Sequence, residues 1–300
     1  MISSGGPALT TVRPLRQSRP RLPHGVGAGD TNDMEVAALR AAPPLVALLA
    51  ALVASPVFAA GPGPAGTAPA ERLAAGDAAL ARGDMSTAHR EYSTVLEAHP
   101  RDYAALWRMA RVESEMGEDA RGDDQRARVL AAVQRARAAV QAAPDSAQGH
   151  VWVAATLGRQ ALKEGPKTRL ALSREIKSEV DRAIAIDPGI GRAYHVRALW
   201  NRKIASLNFM ERAAANTVLG GVPKGASMEN AVQDLLKAIE LEPAYVNHHL
   251  ELGRTYMELG RWAEARAELE RAHTLPPTSS PRDARYQNEA RNLLGRIARR

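Results

Sequence analysis

The chain has 300 residues, with 40 lysines and arginines against 33 acidic residues and a formal net charge of +7. So small an excess over this length favours solubility and weak attraction to anionic surfaces, and it argues against dedicated nucleic-acid binding. Because cysteine is absent, disulfides and thiolate metal sites are excluded. The abundance of alanine and arginine, with little lysine or phenylalanine, indicates a GC-rich bacterial coding sequence.

The first 33 residues scatter arginines among proline and glycine and lack the composition of a packed core. We therefore expect residues 1–33 to be disordered or to precede the true translation start at Met34. Further along, residues 61–68 are rich in glycine, proline and alanine, which predicts a flexible linker ahead of the folded part.

Between these two segments, residues 34–60 carry a positive charge, then an apolar run, then Val57-Phe58-Ala59 with small residues at the outer positions. This order is typical of a secretory signal peptide cleaved after Ala59 or Ala60. The alternative is an uncleaved membrane anchor, since the run approaches the ~17 to 25 residues that span a bilayer. The sequence therefore predicts a periplasmic or secreted protein, or alternatively a membrane-anchored one.

From residue 69 onward, five segments with the same internal register each end in a proline. Small or apolar residues lie five and twelve positions before each of these prolines, seven apart on one helix. Such a helix, stopped by a proline, is the second helix of a tetratricopeptide (TPR) repeat. The prolines are Pro100, Pro144, Pro188, Pro243 and Pro277.

The last repeat, residues 244–277, is the most complete. Gly253 is expected to let the two helices of the hairpin approach closely, and Gly260 to supply a positive φ at the turn between them. The space between the two helices is expected to be filled by Leu252, Tyr256, Trp262 and Leu269.

The spacing of the prolines predicts insertions in the middle repeats. Successive prolines are 44, 44, 55 and 34 residues apart, and only the last spacing matches the ~34 residues of an unmodified TPR. We expect the first insertion to be a polar loop at residues 117–124 and the second a turn at residues 162–167. The third is long enough for an extra helix over residues 204–219.

Several motifs in these repeats, taken in order, resemble the regulator of microtubule dynamics family over about residues 71–297. The resemblance implies an irregular, TPR-like α-helical solenoid. Animal members of the family associate with microtubules, and with organelle membranes through an N-terminal apolar segment. The motifs are Leu106-Trp107-Arg108-Met109-Ala110-Arg111, His150-Val151-Trp152, Glu175-Ile176-Lys177, Phe209-Met210-Glu211-Arg212 and Gly221-Val222-Pro223.

These observations predict one all-α domain over residues 69–300. We expect a right-handed α-solenoid of about five TPR-like hairpins, with insertions in the middle repeats and a capping helix over residues 284–299. No Walker A, His-Glu-x-x-His or Gly-x-Ser-x-Gly motif occurs, so we expect neither enzymatic activity nor a cofactor. His248 and His249 are adjacent and diverge on a helix, which argues against a metal site.

The first helices of TPR hairpins line a groove that binds partners. Arginines alternate with apolar residues at the positions expected to face it, which suits an extended peptide or an anionic group. The alternatives are a solvated face where arginine is merely common, and a membrane-anchored tether or lipid-binding module similar to eukaryotic family members. The predicted groove residues are Trp107, Arg111, Arg159, Arg192, His195, Arg202 and Arg254.

Overall fold

The structure is a computed structural model that describes residues 68–218, 221–278 and 280–299. The expected disordered start, the signal peptide or anchor, and all but the last residue of the linker lie outside the described residues. Across the described ranges the chain is entirely helical outside its turns. The helices are α1 (Pro69–Ala81), α2 (Met85–Ala98), α3 (Tyr103–Asp119), α4 (Gly122–Ala142), α5 (Ala147–Ala161), α6 (Pro166–Ile186), α7 (Gly191–Ala205), α8 (Phe209–Val218), α9 (Met228–Leu241), α10 (Val246–Glu258), α11 (Trp262–Thr274) and α12 (Asp283–Ile297).

Five antiparallel hairpins pack one after another, which confirms the predicted all-α helical solenoid. The hairpins are α1–α2, α3–α4, α5–α6, α7–α9 and α10–α11, and each first helix also packs on the second helix of the preceding hairpin. Helix α8 is inserted within the fourth hairpin, and α12 packs on α10 and α11. No helix among the described residues is long and apolar enough to cross a membrane.

Two of the three expected insertions take a different form from the prediction. The polar stretch at residues 117–124 is mostly helical, because α3 continues to Asp119 and α4 already begins at Gly122. Asp123 and Asp124 occupy the first turn of α4, where their negative charges interact favourably with the positive end of the helix dipole. Polar residues that resemble a loop in sequence are here exposed helix surface.

The inserted helix α8 begins at Phe209 instead of residue 204, since α7 continues to Ala205. Its start is fixed by a reciprocal capping box. Glu211 donates its backbone N–H to Asn208 Oδ1, and Asn208 donates its own N–H to Glu211 Oε2, each over 2.9 Å. The second insertion agrees with the prediction, as a turn between α5 and the 21-residue helix α6.

Glycine permits the closest helix contacts in two hairpins. A Cβ atom at Gly253 would lie 2.7 Å from Leu269 Cγ, and one at Gly76 would lie 2.3 Å from the Tyr92 ring. Gly260 has a φ of 72° at the turn between α10 and α11. The predicted roles of Gly253 and Gly260 match this geometry.

The same histidine arrangement occurs in the third and fifth hairpins. His150 Nδ1 lies 2.6 Å from Glu179 on the following helix, and its Nε2 lies 2.9 Å from the carbonyl of Pro144. His249 repeats this with Glu268 at 2.7 Å and with the carbonyl six residues before it at 3.1 Å. Each ring joins the two helices of its hairpin to the turn before them, so both histidines serve packing.

Candidate binding site on the A-helix face

Helices α1, α3, α5, α7 and α10 are the first helices of their hairpins. We call the surface that they present away from their partner helices the A-helix face. Helix α12 covers part of it, because Glu289 pairs with Arg254 of α10. At the start of α12, Arg282 and Arg285 pair with acidic residues of α3. The C-terminal helix therefore bridges the fifth and second hairpins.

Arg282 is the main anchor of this bridge and is only 5% exposed. Its Nε donates to Glu115 Oε2 over 2.9 Å, its Nη1 donates to Asp119 Oδ1 over 2.6 Å, and its Nη2 donates to the Glu115 carbonyl. Burial alone lowers the pKa of Arg282, but the bonds to Asp119 and Glu115 outweigh burial and raise it. The ion pair is therefore buried and saturated with charge-assisted hydrogen bonds.

Three of the predicted groove arginines are paired within the chain. Arg159 pairs with Glu118 of α3. The buried carboxylate of Glu251 takes two partners, Arg202 at 2.5 Å and Arg254. These charges join neighbouring first helices to one another, so they are already neutralised without an external ligand.

Trp107 is partly buried and packs against the cores of both the N-terminal and the middle hairpins. The guanidinium carbon of Arg108 lies 4.3 Å from the centre of its ring. The ring is thus a packing element at the junction of two hairpins.

His195 is buried against a second histidine. Its Nδ1 lies 2.9 Å from Nδ1 of His248, so one nitrogen must donate and the other accept. The Tyr245 ring stands edge-on to His248, with centroids 4.7 Å apart. Burial lowers the pKa of both histidines, and for His195 the charges of His248 and Arg192 lower it further. Glu242, 3.4 Å from His248 Nε2, raises the pKa of His248 but does not offset burial. The pair is therefore held neutral.

The two remaining predicted residues, Arg111 of α3 and Arg192 of α7, face an open cavity of 280 Å³. Part of its wall comes from the turn between α9 and α10, and part from the segment that precedes α12. The side chains of Glu242, Tyr245, Thr278 and Ser280 also line the cavity.

Within the described part of the chain, neither guanidinium at this cavity has a carboxylate partner. Arg111 Nε is buried without a hydrogen-bond acceptor. Arg192 stacks on aromatic rings, with its guanidinium carbon 4.9 Å from the centre of Tyr245 and 5.7 Å from that of Trp152. Burial lowers the pKa of Arg111, and the positive charge of Arg192 lowers it further. The structure thus brings two of the seven predicted residues together as cations without a direct carboxylate partner.

Sequence reasoning missed the residues that complete this site. Arg282 and Glu115 are not among the predicted groove residues, because their pairing joins positions 167 residues apart. Tyr245 and Thr278 lie in turns that carry no motif. The described residues contain no group of three side chains arranged to hold a metal ion.

Comparison with known proteins identifies relatives of this chain. The family described as "Regulator of microtubule dynamics protein 1-3" matches residues 72–298. Regulator of microtubule dynamics protein 3 from Mus musculus is 30% identical over 190 residues, covering 63% of this chain and 40% of the relative. Regulator of microtubule dynamics protein 1 from Caenorhabditis elegans is 28% identical over 189 residues, covering 63% of this chain and 83% of the relative.

Among solved structures, TTC0263, a thermophilic TPR protein of Thermus thermophilus, superposes with a TM-score of 0.57 at 19% identity. The match covers 76% of this chain and 99% of that protein. This likeness supports the TPR-like fold. The match to the mouse protein covers only 40% of that relative's length. The chain belongs to the regulator of microtubule dynamics protein 1-3 family.

Proposed function

We propose that this chain is a non-enzymatic interaction scaffold that binds an extended segment of a partner protein on its A-helix face. Stacked helical hairpins present long concave surfaces of this kind. The observation that carries the proposal is the pair Arg111 and Arg192, which share a cavity and lack carboxylate partners. Arg159, Arg202 and Arg254 on the same face are all paired internally.

The site suits a peptide for a second reason. The Tyr245 ring lines the cavity beside Arg192, so aromatic surface adjoins the cationic groups. A partner segment with one acidic residue between apolar ones would bury both kinds of contact. Aromatic and arginine side chains together are the residues that dominate binding energy in protein interfaces.

The experiment is site-specific cross-linking in the native host. A photo-cross-linking amino acid at Ala244, an exposed residue that lines the cavity, should yield a discrete partner adduct. The same group at Arg266, exposed on α11, is the matched control and should not. Equal adducts from both positions, or none from Ala244, would show that the A-helix face is not the partner surface.

The location of this scaffold is a separate proposal. The signal-peptide pattern of residues 34–60 supports export to the periplasm or secretion. The alternative, a membrane-anchored tether or lipid-binding module, is supported by the same apolar run and by the family resemblance. The N-terminal residue of the native protein in soluble and membrane fractions separates the two. A start at Ala60 or Gly61 in the soluble fraction supports export, and retention of residues 34–59 with membranes supports the tether.

A role in regulating microtubules is proposed for this chain only through the names of its relatives. Co-sedimentation with assembled microtubules tests it directly. Charge reversal at Arg111 and Arg192 should leave any such binding unchanged if it uses a surface other than the A-helix face.

A further inference from the structure

We propose that the cavity between Arg111 and Arg192 is a subsite for a single carboxylate, the acidic side chain or C-terminal carboxylate of a partner peptide. This inference rests on the proposed function and names the chemistry by which the A-helix face would recognise its partner. It is argued from the geometry of the cavity, its unpaired cations and its charge balance.

The cavity has room for such a group. Its 280 Å³ is several times the ~30 Å³ that one water occupies in the liquid. Its walls come from four separate parts of the chain: α3, α7, the turn between α9 and α10, and the segment ahead of α12. Bound there, one ligand would contact parts of the second, fourth and fifth hairpins at once.

The cations that line the cavity are incompletely satisfied. A buried N–H without an acceptor is costly, because it has lost water and gained no partner. Arg111 Nε is in this position, whereas Arg192 is half-buried and its guanidinium stacks on aromatic rings. The two like charges also repel each other across the cavity. A carboxylate placed between them would remove the repulsion and accept from both planar donor groups.

Glu242 also lines the cavity but already serves other groups. One of its carboxylate oxygens accepts the backbone N–H of Arg192 at 3.1 Å, and the other lies 3.4 Å from His248 Nε2. Burial alone raises the pKa of Glu242, but His248 and Arg192 outweigh burial and lower it, so this side chain is negatively charged. Two cations and one anion leave the cavity with a charge of +1. A carboxylate balances it, whereas a phosphate dianion would leave excess negative charge.

The segment ahead of α12 is fixed and adds no charged side chain to the lining of the cavity. Asp283 Oδ2 accepts both the backbone N–H of Thr278, at 2.5 Å, and its hydroxyl, at 2.7 Å. Ser280 donates its N–H to Thr278 Oγ1 at 3.2 Å. These polar groups bond to one another, so recognition of the anion depends on the two arginines.

The test compares small anions on the purified chain and on Arg111→Met, with Arg266→Met as the control. Thermal unfolding is followed in sodium acetate, sodium phosphate and acetamide, each at the same ionic strength set with chloride. We expect acetate to stabilise the parent chain and the control, and acetamide to have no effect on either. In Arg111→Met the affinity for acetate should fall by at least about tenfold. Without acetate, Arg111→Met should be at least as stable as the parent chain, because it removes a guanidinium whose buried Nε has no acceptor.

Other results would overturn the inference. Acetate that stabilises the parent chain and Arg111→Met equally would show that the cavity holds no carboxylate. Stronger stabilisation by phosphate than by acetate would replace the carboxylate with a phosphoryl group. The chain could instead sediment with phosphatidylglycerol vesicles but not with phosphatidylcholine vesicles, and lose this binding in Arg111→Met. That result would identify the ligand as a lipid headgroup and not a peptide.

The cross-linking experiment at Ala244 and the acetate experiment test two separate proposals, and either proposal can fail without the other. A partner adduct without acetate binding would leave the scaffold intact and refute the carboxylate subsite. Acetate binding that depends on Arg111, without any partner adduct, would support the subsite and refute the proposed protein partner.

Discussion

Replacing Arg282 with methionine should destabilise the whole array of hairpins, although the residue lies at the start of the last helix. Methionine keeps an apolar stem at this position but removes every hydrogen bond from the guanidinium. Glu115, whose side chain is 7% exposed, would then remain as a buried carboxylate without its cation. Asp119, whose side chain is 59% exposed, would simply return to water.

The magnitude follows from this difference in burial. Removing one partner of a buried ion pair costs about 3 to 5 kcal/mol, because the remaining charge is uncompensated. Losing the exposed pair with Asp119 adds at most ~1 kcal/mol. We therefore expect Arg282→Met to lower the free energy of unfolding by about 3 to 5 kcal/mol. For a domain of this size that corresponds to a fall in Tm of about 10 °C.

Urea denaturation followed by far-UV circular dichroism measures the change. The variants are Arg282→Met, Glu115→Gln, their combination, and Arg266→Met as an exposed control. The double variant should lose less than the sum of the two single losses, because neither side chain then leaves an unpaired charge. If Arg282→Met lies within about 0.5 kcal/mol of the parent chain, as a surface substitution would, the buried bridge to α3 does not stabilise the fold.

Two further predictions concern packing and pH. Gly253→Ala should lower the free energy of unfolding by about 1 kcal/mol, because overpacking against Leu269 outweighs the gain in helix propensity. Gly158→Ala, whose Cβ would meet no atom within 4 Å, should instead stabilise by up to about 1 kcal/mol, and urea denaturation that gives both substitutions the same sign would contradict this account. The pKa values of His195 and His248 are depressed in the folded chain, so the unfolded chain binds more protons below about pH 6.5. Stability contributed by this pair should be complete above that pH and lost progressively as pH falls below it, and His248→Gln should reduce the slope of unfolding free energy against pH; an unchanged slope would refute the assignment.

Much of the fold could be predicted because TPR hairpins are specified locally. Each proline that ends a second helix lies a fixed distance from small residues on that helix, and Gly253 and Gly260 lie within one hairpin. The start of α8 was misplaced, because α7 continues to Ala205 and the inserted helix begins only at Phe209. The capping-box spacing of Asn208 and Glu211 is a short-range signal that would have placed this start.

The candidate site was predicted only in part, for a different reason. Position within each first helix placed Arg111 and Arg192 in the predicted groove, and in the structure both line one cavity. It could not show which arginines are paired internally, because the partners of Arg159 and Arg202 lie on other helices. Whether a charge is free to bind depends on contacts between distant segments, which periodicity does not reveal.

The bridge made by α12 changes how this array should respond to stress. In an open solenoid each repeat contacts only its neighbours, so the ends fray and unfolding spreads inward repeat by repeat. Here Arg282 connects the last helix to α3, across 167 residues, and closes the second to fifth hairpins into a loop of contacts. None of those hairpins is a free end, so they should unfold as one cooperative unit. The hairpin α1–α2 lies outside the loop and is left as the single weak edge, the place where thermal opening and proteolysis would begin.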